Sequence, residues 1–125
     1  MPISGMNHFT VLTDDLDASR AFYIDLLGLH EGFRPDLGFP GAWLYAGDQA
    51  VLHIIAGRGV PAQRRGVIDH MAFSAHDLPA VAARLVERGV PYDLKRLSTG
   101  VWQLFCLDPS GARVELDFDA GERQP

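Results

Sequence analysis

Four ligand-type side chains recur at one fixed spacing, and that spacing constrains the fold more than any other feature of the sequence. His8 and His70 lie 62 positions apart, and so do His53 and Glu115. Each sits in a short apolar run of strand character: Met6-Asn7-His8-Phe9-Thr10-Val11, Val51-Leu52-His53-Ile54-Ile55, Ile68-Asp69-His70-Met71-Ala72-Phe73 and Arg113-Val114-Glu115-Leu116-Asp117. Other positions agree at the same offset: Asp15-Leu16 with Asp77-Leu78, Ala18 with Ala80, Trp43 with Phe105, Leu52 with Val114, Ile54 with Leu116. An internal duplication accounts for this, and it would assemble one metal site from two copies of a small motif.

The elements repeat in the same order. A strand over 6–12 leads through Thr13-Asp14-Asp15, residues suited to capping, into a helix over 16–27. That helix places Ala18, Phe22 and Leu26 on one face, and Gly28 stops it. A short strand over 30–34, a Pro- and Gly-rich loop over 35–41, and strands over 43–46 and 50–56 joined at 47–49 complete the first half. The second half has a strand over 67–75, a helix over 78–88 stopped by Gly89, and strands within 90–97, 101–107 and 112–118. The expected organisation is a single domain over 1–125 made of two strand–helix–three-strand repeats, 5–57 and 67–119, with 58–66 as linker and a frayed polar tail from 120.

A net charge of −5, with Arg64-Arg65 and Lys95-Arg96 the only basic doublets, argues against a nucleic-acid or anionic-membrane surface. No stretch approaches the roughly 18 apolar residues a membrane span needs, and residues 1–5 lack the pattern of a signal peptide. Cys106 stands alone in an apolar run, so it reads as a buried structural thiol and no internal disulfide forms. A cytoplasmic protein is expected.

Four segments resemble the vicinal oxygen chelate superfamily, which includes glyoxalase I, extradiol ring-cleaving dioxygenases, methylmalonyl-CoA epimerase, and fosfomycin- and bleomycin-resistance proteins. They are Asn7-His8-Phe9-Thr10-Val11; Asp17-Ala18-Ser19-Arg20-Ala21-Phe22-Tyr23 with Leu26-Leu27-Gly28-Leu29; Asp69-His70; and the run from Leu107 to Leu116 through Asp108-Pro109-Ser110-Gly111. The resemblance implies an α+β fold, two βαβββ modules in tandem whose curved mixed sheets surround an open cleft. It further implies one divalent metal per site (Fe, Mn, Ni or Zn), held by His8, His70 and Glu115, with His53 at a fourth position where it either ligates or lines the cleft. The expected partners are a small-molecule substrate and a second copy of the chain, with neither nucleic acid nor membrane.

Two imidazoles and a carboxylate with open positions suit such a metal, and a buried Glu115 without a cation would be costly. Strand alternation puts Thr10 on the face of His8. Thr10, Trp43, Trp102 and Arg34 are the candidate substrate contacts. The shared logic of the superfamily is chelation of two adjacent substrate oxygens. A glyoxalase I-like isomerase or lyase, with Glu115 as catalytic base, is slightly favoured. An extradiol dioxygenase built on the His8, His70, Glu115 triad is the alternative. A non-catalytic drug- or metabolite-binding protein of the bleomycin-resistance kind is a third reading.

Overall fold

The computed structural model describes residues 2–125. The chain divides after Ala62 into two compact units, and each forms a four-stranded mixed sheet with one helical segment.

In the first unit, β1 (Phe9–Thr13) enters α1 (Leu16–Arg20), which continues as a π-helical segment over Ala21–Leu26. Asp15 caps α1 by accepting from the Ala18 amide at 3.0 Å. The wider π turn lets adjacent Phe22 and Tyr23 both enter the core with Ser19 and Leu26, so the buried face differs from the i+4 stripe expected through Ala18. Strands β2 (His30–Glu31), β3 (Gly41–Ala46) and β4 (Gln49–Ala56) complete a sheet of order β1-β4-β3-β2, with β1 parallel to β4 and the rest antiparallel.

The second unit repeats this with β5 (Met71–Ala75), α2 (Leu78–Glu87), β6 (Tyr92–Arg96), β7 (Trp102–Leu107) and β8 (Arg113–Phe118), in the order β5-β8-β7-β6. Register carries the sequence offset into three dimensions. Thr10 pairs with His53 and His53 with Trp43 in one sheet; 62 positions on, Ala72 pairs with Glu115 and Glu115 with Phe105 in the other. The expected α+β fold of βαβββ modules is the one observed.

Each sheet has one apolar face. In the second it comprises Met71, Trp102, Leu104, Cys106, Val114, Leu116 and Phe118, all buried, and α2 contributes buried Leu78, Val81, Ala82 and Leu85. In the first, Val11, Ala42, Leu44, Leu52 and Ile54 are buried and α1 packs on β3 and β4. Both helical segments are followed by glycines in the left-handed region, Gly28 at φ 84° and Gly89 at φ 67°.

Several expectations need correction, among them the strands expected over 6–12 and 30–34, which are Phe9–Thr13 and His30–Glu31. The strand expected over 67–75 begins at Met71, because its parallel partner β8 begins at Arg113 and offers no ladder earlier; Val67 and Ile68 are exposed. The tail is not simply frayed. Glu122 accepts from the Asp77 and Leu78 amides at 2.9 and 2.8 Å, so its carboxylate satisfies free donors at the start of α2, where Asp77 takes φ 64°. Among the described residues no helix is long and apolar enough to cross a membrane.

Replacing Glu122 by Ala should cost about 0.5–2 kcal/mol of stability, the usual loss for a helix cap, read as a lower urea midpoint. Burial raises the Cys106 thiol to about 11, with the Asp108 charge adding to the effect. At neutral pH Cys106 should therefore resist Ellman's reagent in the native protein and react at once in denaturant.

Candidate metal centre

The four ligand candidates fall as two pairs, one per unit; among the described residues no group of three or more His, Cys, Asp and Glu side chains is arranged to hold a metal ion. The pairs occupy equivalent places. His8 and His70 each stand immediately before the first strand of their module, and His53 and Glu115 lie on its last strand, on the face opposite the apolar one.

In the second unit His70 Nε2 lies 2.9 Å from Glu115 Oε1. The other imidazole nitrogen, Nδ1, is 2.7 Å from Asp69 Oδ2. That same oxygen accepts from Arg113 Nη1 at 2.7 Å, and the guanidinium lies over the Phe105 ring at 4.2 Å. Glu115 is 5% exposed, and Gln103 Nε2 donates to its Oε2 at 3.1 Å. Burial raises the Glu115 carboxyl above the ordinary carboxylate range; the neighbouring Asp117 adds to this, while His70 and Arg113 pull the other way.

The His70–Glu115 pair offers two donors of the kind a divalent cation takes. With Nδ1 donating to Asp69, Nε2 presents a lone pair toward a carboxylate oxygen. Two such atoms in contact require a proton or a metal ion between them. Ligand atoms about 2.0–2.2 Å from one ion at right angles sit about 3 Å apart, which is the spacing found. Both side chains are also braced from behind, as metal ligands generally are.

In the first unit the imidazoles of His8 and His53 stack at 3.7 Å between centroids, and Trp43 stacks on His53 at 4.0 Å, each with planes 12° apart. His8 Nδ1 lies 2.7 Å from Asn7 Oδ1, repeating the Asp69–His70 contact with an amide in place of the carboxylate. Gln49 Nε2 donates to the Asn7 and Met6 carbonyls at 2.7 and 3.3 Å and so holds the segment beside β4. Burial and the charge of His8 lower the proton affinity of His53, against a hydrogen bond to the Ala50 backbone that raises it, and Arg34 lowers it slightly further.

The substrate candidates separate. Thr10 and Trp43 share the face of His53, as alternation requires. Trp102 lies on the apolar face of β7, three residues from Phe105 and hence on the other side of the pleat, with Arg96 over its ring at 4.6 Å. Arg34 is engaged in its own loop, where Nη2 donates to the Phe39 carbonyl at 3.0 Å. The supporting residues Asp69, Arg113 and Gln103 were not among the sequence candidates. For the first of these a signal exists in the repeat, since an oxygen-bearing side chain, Asn7 or Asp69, precedes the histidine in both modules. Beside Arg113 and Phe105 a cavity of about 270 Å³ opens, lined also by Arg65, Asp93, Pro91 and Leu107.

The sheet order, the repeated register and the paired ligand positions together define a glyoxalase-type fold. The chain belongs to the Glyoxalase/Bleomycin resistance protein/Dioxygenase superfamily, whose family model matches residues 5–116. It is 30% identical to Glyoxylase I 4 of Arabidopsis thaliana, over 91% of this chain and 70% of that one. It is 32% identical to the glutathione transferase FosA of Serratia marcescens, over 91% and 80%. With the metapyrocatechase of Geobacillus stearothermophilus it shares 27% identity over 97% of this chain, a match spanning 39% of that protein. A glyoxalase family protein from Bacillus anthracis has the same fold, at TM-score 0.77 and 24% identity, covering 94% of this chain and 96% of that one.

A carboxyl raised in the folded state makes the metal-free protein bind more protons than the unfolded chain between the unfolded and folded pKa values. Stability is then lost as pH rises through the folded pKa of Glu115. Glu115→Gln should flatten that loss. In chelator, the variant's denaturation midpoint should rise relative to wild type from pH 4 to pH 8; an unchanged difference would show that Glu115 carries no such penalty.

Proposed function

We propose that the chain is a divalent-metal-dependent enzyme holding a small oxygenated metabolite through two neighbouring oxygens, with isomerase or lyase chemistry of the glyoxalase I kind favoured. The observation that carries this reading is the 2.9 Å contact of His70 Nε2 with Glu115 Oε1, each partner oriented from behind by Asp69 or Gln103. His8, His70 and Glu115 are the proposed ligands, and His53 stands at the fourth position. Fe, Mn, Ni and Zn all accept such donors. When bound, the metal supplies Lewis-acid stabilisation of a developing oxyanion.

The chain's own residues supply the rest. Glu115, once its Oε1 loosens from the metal, takes a proton from the carbon beside a carbonyl and returns it to the neighbouring one, while Oε2 stays with Gln103. Thr10 and Trp43 flank His53 on the same face and are the proposed substrate contacts there. The cavity beside Arg113 suits a small substrate, and Arg65, which makes no ion pair among the described residues, suits an anionic substituent on it. Pairing of two copies, a cytoplasmic location and joint action of both repeats as one domain belong to the same proposal.

The extradiol dioxygenase is the second reading. It is favoured by the His53 ring, held between His8 and Trp43; if that ring does not ligate, a two-histidine, one-carboxylate triad keeps positions open for catechol and oxygen. The greater share of its length that the Arabidopsis glyoxylase has in common with this chain supports the first reading.

Metal analysis of anaerobically purified protein, followed by turnover, separates the two. Nickel or zinc with turnover of aldehyde–thiol adducts is the expected result. Iron with oxygen uptake on catechols would select the dioxygenase, and a metal-free protein that still binds small molecules would overturn both. His70→Ala and Glu115→Ala should each lose the metal while keeping the circular dichroism of the wild type. Full metal occupancy in either variant would mean that the ligands are misassigned.

A further inference from the structure

The geometry points to Asp69, clamped by Arg113, as a positioning residue that fixes the His70 ring with its proton on Nδ1 and its lone pair on Nε2. Asp69 Oδ2 receives two donors at 2.7 Å, His70 Nδ1 and Arg113 Nη1. A carboxylate oxygen that close to a ring nitrogen requires the proton on that nitrogen, because two lone pairs would repel. Arg113 Nη1 lies 3.4 Å from the same nitrogen, so both donors converge on one acceptor. The clamp is itself held: the guanidinium lies over Phe105, and the His70 ring meets that phenyl edge to face at 5.8 Å. Ring azimuth is thereby set from three sides, and Glu115 Oε1, 2.9 Å from Nε2, is the competing acceptor that a bound metal would replace.

The first module repeats the device in weaker form. Asn7 Oδ1 stands 2.7 Å from His8 Nδ1, an amide acceptor without formal charge and without an arginine partner. A carboxylate behind an imidazole makes the far nitrogen a stronger electron-pair donor than an amide does. His70 is thus the firmer ligand and His8 the more readily released one. The ring-positioning claim stands on these contacts alone; its consequence for ligand strength rests on the metal reading above.

Asp69 is 60% exposed, so its replacement should leave the fold intact. The test uses the full chain labelled with ¹⁵N-histidine, metal-free and at alkaline pH, in a Glu115→Ala background that removes the carboxylate facing Nε2, with tautomers read from long-range ¹H–¹⁵N correlations. With Glu115 removed, His70 should be protonated on Nδ1; the cobalt titrations that follow keep Glu115. Asp69→Ala should move it toward the Nε2-protonated form, and Asp69→Asn, which copies Asn7, should restore Nδ1 protonation. Titration with cobalt(II) should then show affinity falling about 10–100-fold in Asp69→Ala, with Asp69→Asn in between. An unchanged His70 tautomer in Asp69→Ala overturns the inference whatever the cobalt titration gives. A shifted tautomer in a protein whose wild type takes up no cobalt sustains the positioning role and overturns the metal reading instead.

Discussion

A strand that buries every second side chain commits the others to the opposite face, and both sheets of this chain depend on that commitment. Leu52 and Ile54 are buried on β4, as Val114 and Leu116 are on β8. His53 and Glu115, each between two such residues, are therefore turned to the other side. The apolar residues thus do more than stabilise: they aim the polar ones. A slip of one residue in either pairing would bury the imidazole or carboxylate among leucines and expose the core, so the site's geometry and the fold's stability are selected by the same register.

Much of this was legible in the sequence because duplication writes each contact twice. The 62-residue offset reappears as matched register, Thr10 with His53 and Ala72 with Glu115. Alternation also decides between the tryptophans. Trp43 is the counterpart of Phe105, and Trp102, an odd number of residues from Phe105, cannot share its face. What alternation does not reach is support from distant strands. Arg113 meets Asp69 across 44 positions, and Glu122 meets Leu78 across the same separation. The π-helical turn at Ala21–Leu26 leaves no mark in apolar spacing, since an extra aromatic beside Phe22 reads equally as an exposed one.

The two modules keep one geometry and divide its chemistry. Where the first has Asn7, His8 and His53, the second has Asp69, His70 and Glu115, so at these positions one copy carries two carboxylates and the other an amide and a second imidazole. Both of these carboxylates have an answering group: Arg113 for Asp69, and Gln103 with His70 for Glu115. A duplicated scaffold permits this, because one copy can acquire buried charge together with its partners while the other retains uncharged contacts.

The ring stack in the first unit has a consequence in entropy. His53 has an imidazole against one face and an indole against the other, so its rotation is halted when the chain folds. A free side chain gives up about 0.5–1.5 kcal/mol of rotational freedom when a ligand immobilises it. His53 has made that sacrifice in advance, and whatever approaches its exposed edge meets a group already at rest.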